Sequence, residues 1–178
     1  MKSIKILLVL FSLGVMFTAC ENYSDTPVEY SPIFPLSGEW RVRITDESTG
    51  DLLKTTAGAV AIYVFGTYNT SDNKANEMWI RTTSSMVGGL GALRGKISCD
   101  VPGLSFGGTN VSDISVTTGA TFSITDGKVS LNAITMPSGV TADKISFRLT
   151  TSKVAGKTFL FEGFRRTLWN EDESYSSF

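Results

Sequence analysis

The residue types that most often carry catalysis are scarce in this chain. Its 178 residues include no histidine, and its two cysteines are Cys20 and Cys99. A serine or cysteine nucleophile needs a neighbouring base, usually histidine, so the common triads are excluded. Most catalytic zinc sites use histidine as well. The sequence therefore predicts no catalytic residue, no metal site and no cofactor. Enzymatic activity stays an alternative that no set of residues supports.

A glycine-rich stretch at 86–96 is the second place where chemistry could reside. A phosphate-binding loop here would need a glycine in place of Leu90 and a hydroxyl residue in place of Ile97. A dinucleotide-binding loop would need a glycine in place of Arg94. Both patterns fail, so we expect no nucleotide. The stretch is either a loop over the mouth of a barrel or a plain hairpin connection.

The N-terminus has the pattern of a targeting signal. Two lysines precede an almost wholly apolar run at 6–17, which is too short to span a bilayer. The run leads into Phe17-Thr18-Ala19-Cys20, which resembles the bacterial lipobox, where a signal peptidase cuts before a cysteine that then carries lipid. We expect residues 1–19 to be a lipoprotein signal peptide and Cys20 to be the lipidation site. The alternative is an ordinary secretory signal followed by an incidental cysteine.

The segment after Cys20 is predicted to be a flexible tether. Residues 20–36 hold three of the five prolines among Ser, Asp, Thr and Glu, a composition that buries little surface. The formal net charge of −1 provides no basic field for nucleic acid. The expected partners are therefore the membrane, through acylated Cys20, and a small molecule. We expect the protein to be a monomer.

From Ser37 onward, apolar and polar residues alternate with the period of half-buried strands. About nine short strand candidates follow at fairly even spacing, and no long segment has a helical period. Asp126-Gly127 separates two of these candidates and is typical of a hairpin turn. Residues 37–178 are therefore predicted to form one all-β domain. The expected fold is an antiparallel β-barrel of about eight strands, with a β-sandwich as the alternative.

Three residues at the two ends of this domain are expected to close the barrel. Gly38-Glu39-Trp40 opens the first predicted strand, and Arg165 lies in the last one. In lipocalins and related calycins, a Gly-x-Trp at this place plugs one end of the barrel, and an arginine packs across the Trp ring. The alternation of the last strand favours Arg165 over Arg166. We expect Gly38, Trp40 and Arg165 to form a structural barrel plug.

Further motifs resemble one family of bacterial lipoproteins. They are Thr125-Asp126-Gly127-Lys128-Val129, Asp143-Lys144-Ile145-Ser146-Phe147, and Gly163-Phe164-Arg165-Arg166-Thr167 with Glu171-Asp172-Glu173 behind it. The family is known as lipid-binding putative hydrolases of Gram-negative gut anaerobes. The resemblance implies a calycin-like barrel, an anchored lipoprotein of the cell envelope at the outer membrane, on either face, and a lipid-like ligand. It carries over no catalytic residue, because the chain has no histidine that could activate a serine.

Aromatic residues make up 11% of the chain and could fill a barrel or line a ligand cavity. The candidate ligand-binding residues are Tyr63, Phe65 and Trp79. Two functions stay open. The first is a barrel that binds a small apolar or amphipathic molecule. The second is a non-enzymatic surface accessory protein that uses a filled barrel to contact glycan or an outer-membrane partner.

Overall fold

The computed structural model of the chain describes residues 27–82 and 84–175. The short helices are a 3₁₀ helix (Phe34–Leu36) and α1 (Asn170–Glu173). Nearly all other regular structure is extended, in the strands β1 (Gly38–Asp46), β2 (Asp51–Leu52), β3 (Ile62–Asn69), β4 (Glu77–Thr82), β5 (Arg94–Asp100), β6 (Ser105–Ser112), β7 (Thr121–Thr135), β8 (Thr141–Thr151) and β9 (Val154–Arg165).

Eight of these strands form a closed antiparallel barrel. Each strand from β3 to β9 pairs with the next, and β1 joins the two sides by pairing with both β3 and β9. The closing ladder runs from Trp40 opposite Arg165 to Asp46 opposite Phe159. Strand β2 is a short addition that pairs with the end of β1. Closure leaves no long unpaired edge. The predicted barrel is confirmed, and the β-sandwich alternative is wrong.

The barrel interior is packed with side chains. Alternate residues of each strand point inward, as Trp40, Val42 and Ile44 do in β1, and they are fully buried. Four phenylalanine rings meet in the centre, where Phe147 stacks on one ring at 4.6 Å and contacts two others edge-on at 5.6 Å. Such offset and edge-on arrangements are the favoured geometries of aromatic pairs. Most of the aromatic residues of the strands therefore form the core.

The prediction of a hairpin at Asp126-Gly127 is wrong. Both residues lie inside the single long strand β7, where the pairing with β8 shifts register. Asp126 has a φ of 54°, and a Cβ on Gly127 would lie 2.2 Å from the Phe106 carbonyl oxygen. These features define a β-bulge. The bulge shifts the alternation by one residue, so that even-numbered residues such as Ile124 point inward before it and odd-numbered residues such as Val129 point inward after it. Asp-Gly occurs in β-bulges as well as in hairpin turns, because both structures need a residue with positive φ or without a side chain.

The folded unit begins before the expected boundary at Ser37. Ile33 and Leu36 are fully buried and belong to the core, and the 3₁₀ helix contacts β3 and β7. The last residues of the predicted tether 20–36 therefore belong to the core. The prolines and polar residues around them led to the prediction of a flexible segment. Cys20 and the predicted signal peptide 1–19 lie outside the described residues.

The barrel has two ends that differ in how they are covered. At what we name the closed end lie segment 31–37, the connection 136–140 and the C-terminal segment 166–175. At the opposite end, which we name the open end, lie the connections 47–61, 84–93 and 113–120 and the turn at 152–153. This division follows from the antiparallel order, because β1 begins and β9 finishes at the closed end.

Candidate functional site

The closed end is sealed by Trp40 and its hydrogen bonds. The indole is fully buried, and its Nε1–H donates to the Thr67 hydroxyl at 2.8 Å. That hydroxyl donates in turn to the Leu36 carbonyl at 2.6 Å. The polar edge of the ring is therefore satisfied inside the core, as a buried indole requires. This series of hydrogen bonds links β1, β3 and the 3₁₀ helix.

Arg165 covers the Trp40 ring from the side of β9. Its guanidinium carbon lies 4.6 Å from the ring centroid, well inside the range of a cation–π contact. The same group donates to Asp143 at 2.9 Å, to the Pro35 carbonyl at 2.9 Å, and to the Ser37 carbonyl. A Cβ on Gly38 would lie 2.6 Å from this guanidinium. The expected plug residues are thus in mutual contact, and they block this end to a ligand.

The open end is covered by the glycine-rich segment, residues 84–93, which we name the lid. Met86, Leu90 and Leu93 are at most 5% exposed and belong to the same core cluster as the interior of the barrel. The lid backbone turns back on itself through paired hydrogen bonds between Met86 and Gly91. The segment is the hairpin connection between β4 and β5, and it also covers the mouth of the barrel.

The lid rests on several sides of the rim. The Leu53 side chain lies against Gly88, and the Val154 side chain lies against Gly89, where added Cβ atoms would sit at 3.2 and 3.1 Å. The Val87 amide donates to the Tyr63 hydroxyl at 2.9 Å. These contacts come from the β1–β3 connection, the start of β9 and strand β3. The lid therefore spans the mouth rather than extending from one edge.

One lysine holds the lid from the β8–β9 turn, and we name its set of contacts the latch. The Lys153 ammonium donates to the Leu90 carbonyl at 3.1 Å and to the Ala92 carbonyl at 2.5 Å. It also forms an ion pair with Oδ2 of Asp113 at 2.5 Å. The Ser115 hydroxyl also contacts the lid, because it lies 2.9 Å from the Ala92 carbonyl.

Asp113 anchors the latch on the barrel wall. Its carboxylate is fully buried, and Oδ1 accepts from the Ser115 hydroxyl at 2.6 Å and the Arg94 amide at 3.1 Å. Burial raises the pKa of this carboxyl, but the contacts from Lys153, Ser115 and the Arg94 amide outweigh it and leave the pKa below its usual value. Asp113 is thus ionised at neutral pH and fixes the ammonium group.

The three predicted ligand-binding residues do not form one site. Tyr63 and Phe65 point into the barrel, where Phe65 packs edge-on against Phe147 and Tyr63 supports the lid. Trp79 lies on the outer surface of β4, half-buried, as its alternation with Met78 and Ile80 indicates. Its ring lies 5.7 Å from the Arg94 guanidinium. Tyr63 and Phe65 therefore belong to the barrel interior, and Trp79 belongs to its outer surface.

The latch was missed by the sequence analysis. Lys153 and Asp113 are 40 residues apart in two connections, and no local pattern links them. Asp113-x-Ser115 does carry the signature of a side-chain turn, since Asp113 accepts from the Ser115 amide at 2.9 Å. That signal predicts a turn and says nothing of the lysine that binds on its other side.

One buried carboxylate meets hydroxyl groups and therefore resembles part of a catalytic site. Asp172 of α1 is 1% exposed and accepts from the hydroxyls of Thr167 and Ser138, at 2.5 and 2.8 Å. Burial raises its pKa, but these bonds and the Ser138 amide lower it overall, so it stays ionised. An ionised carboxylate fixed in this way docks α1 on the β7–β8 connection at the closed end.

Within residues 27–82 and 84–175, no group of three or more His, Cys, Asp or Glu side chains could hold a metal ion. Across the same residues, neither helix is long and apolar enough to cross a membrane.

The closed barrel, its Trp–Arg plug and its covered mouth define a calycin-like barrel. A family model described as "Lipid-binding putative hydrolase" matches residues 25–170, which is most of the chain. The chain therefore belongs to this family, and the resemblance seen in its motifs is confirmed.

Comparisons with individual proteins add less. Three solved chains match this one. One is a structural-genomics protein of unknown function from Bacteroides ovatus, with 13% sequence identity and a TM-score of 0.44. The match covers 74% of this chain and 42% of that one, so this chain spans less than half the length of that protein. A search of the curated proteins gives no match.

Proposed function

We propose that this protein binds a lipid-like molecule at the open end of its barrel, with the lid acting as the removable cover. The observation that carries the proposal is the lid itself. A glycine-rich segment inserts Met86, Leu90 and Leu93 into the mouth of the barrel. Membership of a lipid-binding family supports the same role. The ligand's acyl chain would occupy the place of these three side chains.

The packing of the barrel explains why the lid must move. Ligand pockets usually offer about 300–1,000 Å³, whereas the interior below the lid is filled by phenylalanine rings. Movement of the lid would leave the mouth lined by Leu53, Val154 and Tyr63, which contact the lid in the closed form. The Tyr63 and Thr82 hydroxyls, which accept from the Val87 and Leu93 amides, are polar groups at this rim, so the mouth suits an alkyl chain that carries a polar group.

The latch sets how readily the lid leaves. Hydrogen bonds to a charged group contribute about 1.5–3 kcal/mol each when largely buried, and Lys153 is only 15% exposed. A ligand that binds only the open form has its apparent affinity reduced by the fraction of open molecules. Weakening the closed form by about 1.4 kcal/mol should therefore raise the apparent affinity about tenfold.

The test is a titration of the purified domain with dansyl-labelled undecanoic acid, followed by dansyl fluorescence. Lys153→Met with Asp113→Asn removes the latch and leaves no buried charge unpaired. Lys157→Met with Asp46→Asn is the matched control, because these two residues form an ion pair at the same end of the barrel, at 2.5 Å. We expect tenfold tighter binding in the first variant and none of this gain in the control. Equal affinity in all three proteins, or no binding in any, would overturn the proposal.

We also propose that the domain is held at the cell envelope through acylated Cys20. The lipobox-like Phe17-Thr18-Ala19-Cys20 supports this step. Several acyl chains would anchor the domain firmly, since each buried CH₂ contributes about 0.8 kcal/mol. The test is metabolic labelling of the full chain with a clickable palmitate analogue, followed by membrane fractionation. Cys20→Ala should abolish both the label and the membrane association, with Cys99→Ala as the control. Label persisting in Cys20→Ala would refute the anchor.

A further inference from the structure

The outer face of β3, β4 and β5 carries a group of aromatic and basic side chains, which we name the outer patch. It consists of Tyr68, Trp79, Arg81, Arg94 and Lys96. The strand register places Tyr68 opposite Trp79 and Trp79 opposite Lys96 in one row. The next row holds Gly66, Arg81 and Arg94. All five side chains point away from the core and are half-buried or exposed.

Two arginines in this patch are in an unfavourable arrangement. Arg81 lies directly opposite Arg94 on neighbouring antiparallel strands, and like charges at such positions destabilise a sheet. Among the described residues, neither has a carboxylate at ion-pair distance. The five other arginines each lie within 3.4 Å of a carboxylate oxygen. The pair thus concentrates uncompensated positive charge on a chain whose formal net charge is −1.

The aromatic rings support the two guanidinium groups. Arg94 lies 5.7 Å from the Trp79 centroid, and Arg81 lies 6.0 Å from the Tyr68 centroid. Both distances are near the outer limit for a cation–π contact, so the rings guide the side chains without neutralising them. Gly66, at the β3 end of the second row, has no side chain beside Arg81. The result is a surface with two guanidinium forks and two half-exposed rings.

A polar cleft continues the outer patch towards β6. The β5–β6 ladder ends at Ser98 opposite Gly107. Beside that point lies an open cleft of about 210 Å³, whose polar side chains come from Glu77, Lys96, Ser98 and Thr109. Glu77 is engaged by Lys96 at 3.2 Å and by the Thr70 hydroxyl at 2.7 Å, and these contacts lower its pKa. Its charge therefore does not compensate the two arginines.

We propose that the outer patch binds an acidic glycan, with Arg81 and Arg94 holding a carboxylate or sulfate group. Guanidinium forks match the geometry of such anions. The ring faces of Trp79 and Tyr68 suit the C–H face of a pyranose, and the cleft offers hydroxyl and amine partners for neighbouring sugars. This site is distinct from the open end of the barrel.

The distribution of apolar residues favours a glycan over a membrane surface. Membrane-binding faces insert exposed apolar side chains into the lipid, whereas the apolar groups of the outer patch are the half-buried rings of Tyr68 and Trp79. The exposed large apolar residues lie elsewhere, most of them on segments of the closed end: Val28, Tyr30, Phe34, Leu168 and Trp169. The test must therefore distinguish binding to an acidic glycan from binding to a negatively charged bilayer.

The test is affinity electrophoresis of the domain in gels that contain polygalacturonate, chondroitin sulfate or neutral dextran. Arg81→Gln with Arg94→Gln removes the two charges of the patch. Lys54→Gln with Lys128→Gln is the matched control, because both lysines are exposed and lack a carboxylate partner among the described residues. We expect retardation by an acidic polysaccharide and not by dextran. The arginine variant should bind at least tenfold more weakly, and the lysine variant as well as the parent.

The outcomes separate this inference from the lipid-binding proposal. Equal retardation by dextran, or equal losses in the two variants, would overturn it. Binding to phosphatidylglycerol vesicles without retardation by either acidic polysaccharide would assign the patch to a membrane instead and would also overturn it. Circular dichroism checks folding, and Arg94→Gln alone serves if the double variant is unfolded. Binding of dansyl-labelled undecanoic acid should be unchanged in the arginine variant.

Discussion

Replacing Trp40 by alanine tests how the closed end holds the barrel together. The indole is fully buried beneath the Arg165 guanidinium at 4.6 Å, and it donates a hydrogen bond to Thr67 at 2.8 Å. Trp40→Ala therefore removes apolar burial, a cation–π contact and a buried hydrogen bond together. Arg165 keeps its bonds to Asp143 and to the Pro35 carbonyl, so its charge stays compensated.

The expected loss of stability follows from these contacts. Truncating a buried large aromatic side chain costs about 3–5 kcal/mol. The hydrogen bond and the cation–π contact each contribute about 1 kcal/mol to such a loss, so we expect a value of about 4–5 kcal/mol. A domain of this size is stable by about 5–15 kcal/mol. Trp40→Phe should cost only about 1–2 kcal/mol, because the ring stays and Thr67 still donates to Leu36.

The assay is urea unfolding followed by circular dichroism, with the free energy of unfolding taken by linear extrapolation. Trp169→Ala is the matched control, because that indole is 55% exposed on the C-terminal segment. Its loss should cost less than about 0.5 kcal/mol. A cost below about 1 kcal/mol for Trp40→Ala, or equal costs at the two positions, would show that the ring does not seal the barrel.

Three further predictions concern pH, local opening and catalysis. The Lys157 contact and the Ser48 hydroxyl lower the pKa of Asp46 to about 2 from 3.8, so the stability it adds is present above pH 4. That stability is lost as the pH falls towards 2, and Asp46→Asn should flatten part of the decline measured by urea unfolding. In native-state hydrogen exchange, the lid amides of Met86 and Gly91 should exchange well before those of Trp40 and Arg165; equal protection would contradict a removable lid. Fluorophosphonate should label no serine stoichiometrically, because the chain has no histidine to activate one.

The sequence alone predicted the parts of the fold that depend on the period of the strands. Alternation placed Trp40 inward and Trp79 outward and favoured Arg165 over Arg166, because Trp40, Trp79 and Arg165 lie in strands. The strand predictions were wrong where the alternation of apolar and polar residues is interrupted. The bulge at Asp126 joins two predicted strands into one, and Gly107 and Gly108 interrupt the alternation of β6.

The candidate sites were predicted less well than the fold. A ligand site assembles residues from several strands, and their relative positions depend on register and closure. Nothing near Lys153 or Asp113 indicates that the two meet beneath the lid. The pairing of Arg81 with Arg94 likewise depends on the register of β4 and β5, which alternation alone does not determine.

The two ends of the barrel differ in how local their contacts are, and this difference points to the route of a ligand. Arg165 and Trp40 join segments that lie far apart in the sequence, from Pro35 to Asp143, so the closed end can open only when much of the fold is lost. The lid is ten residues long, contains three glycines, and is held by the latch, the Tyr63 hydroxyl and the burial of Met86, Leu90 and Leu93. Opening it breaks these contacts but leaves the ladders of the barrel intact. A ligand that reaches the interior therefore enters past Leu90, and the stability of the barrel and the access to it can change independently.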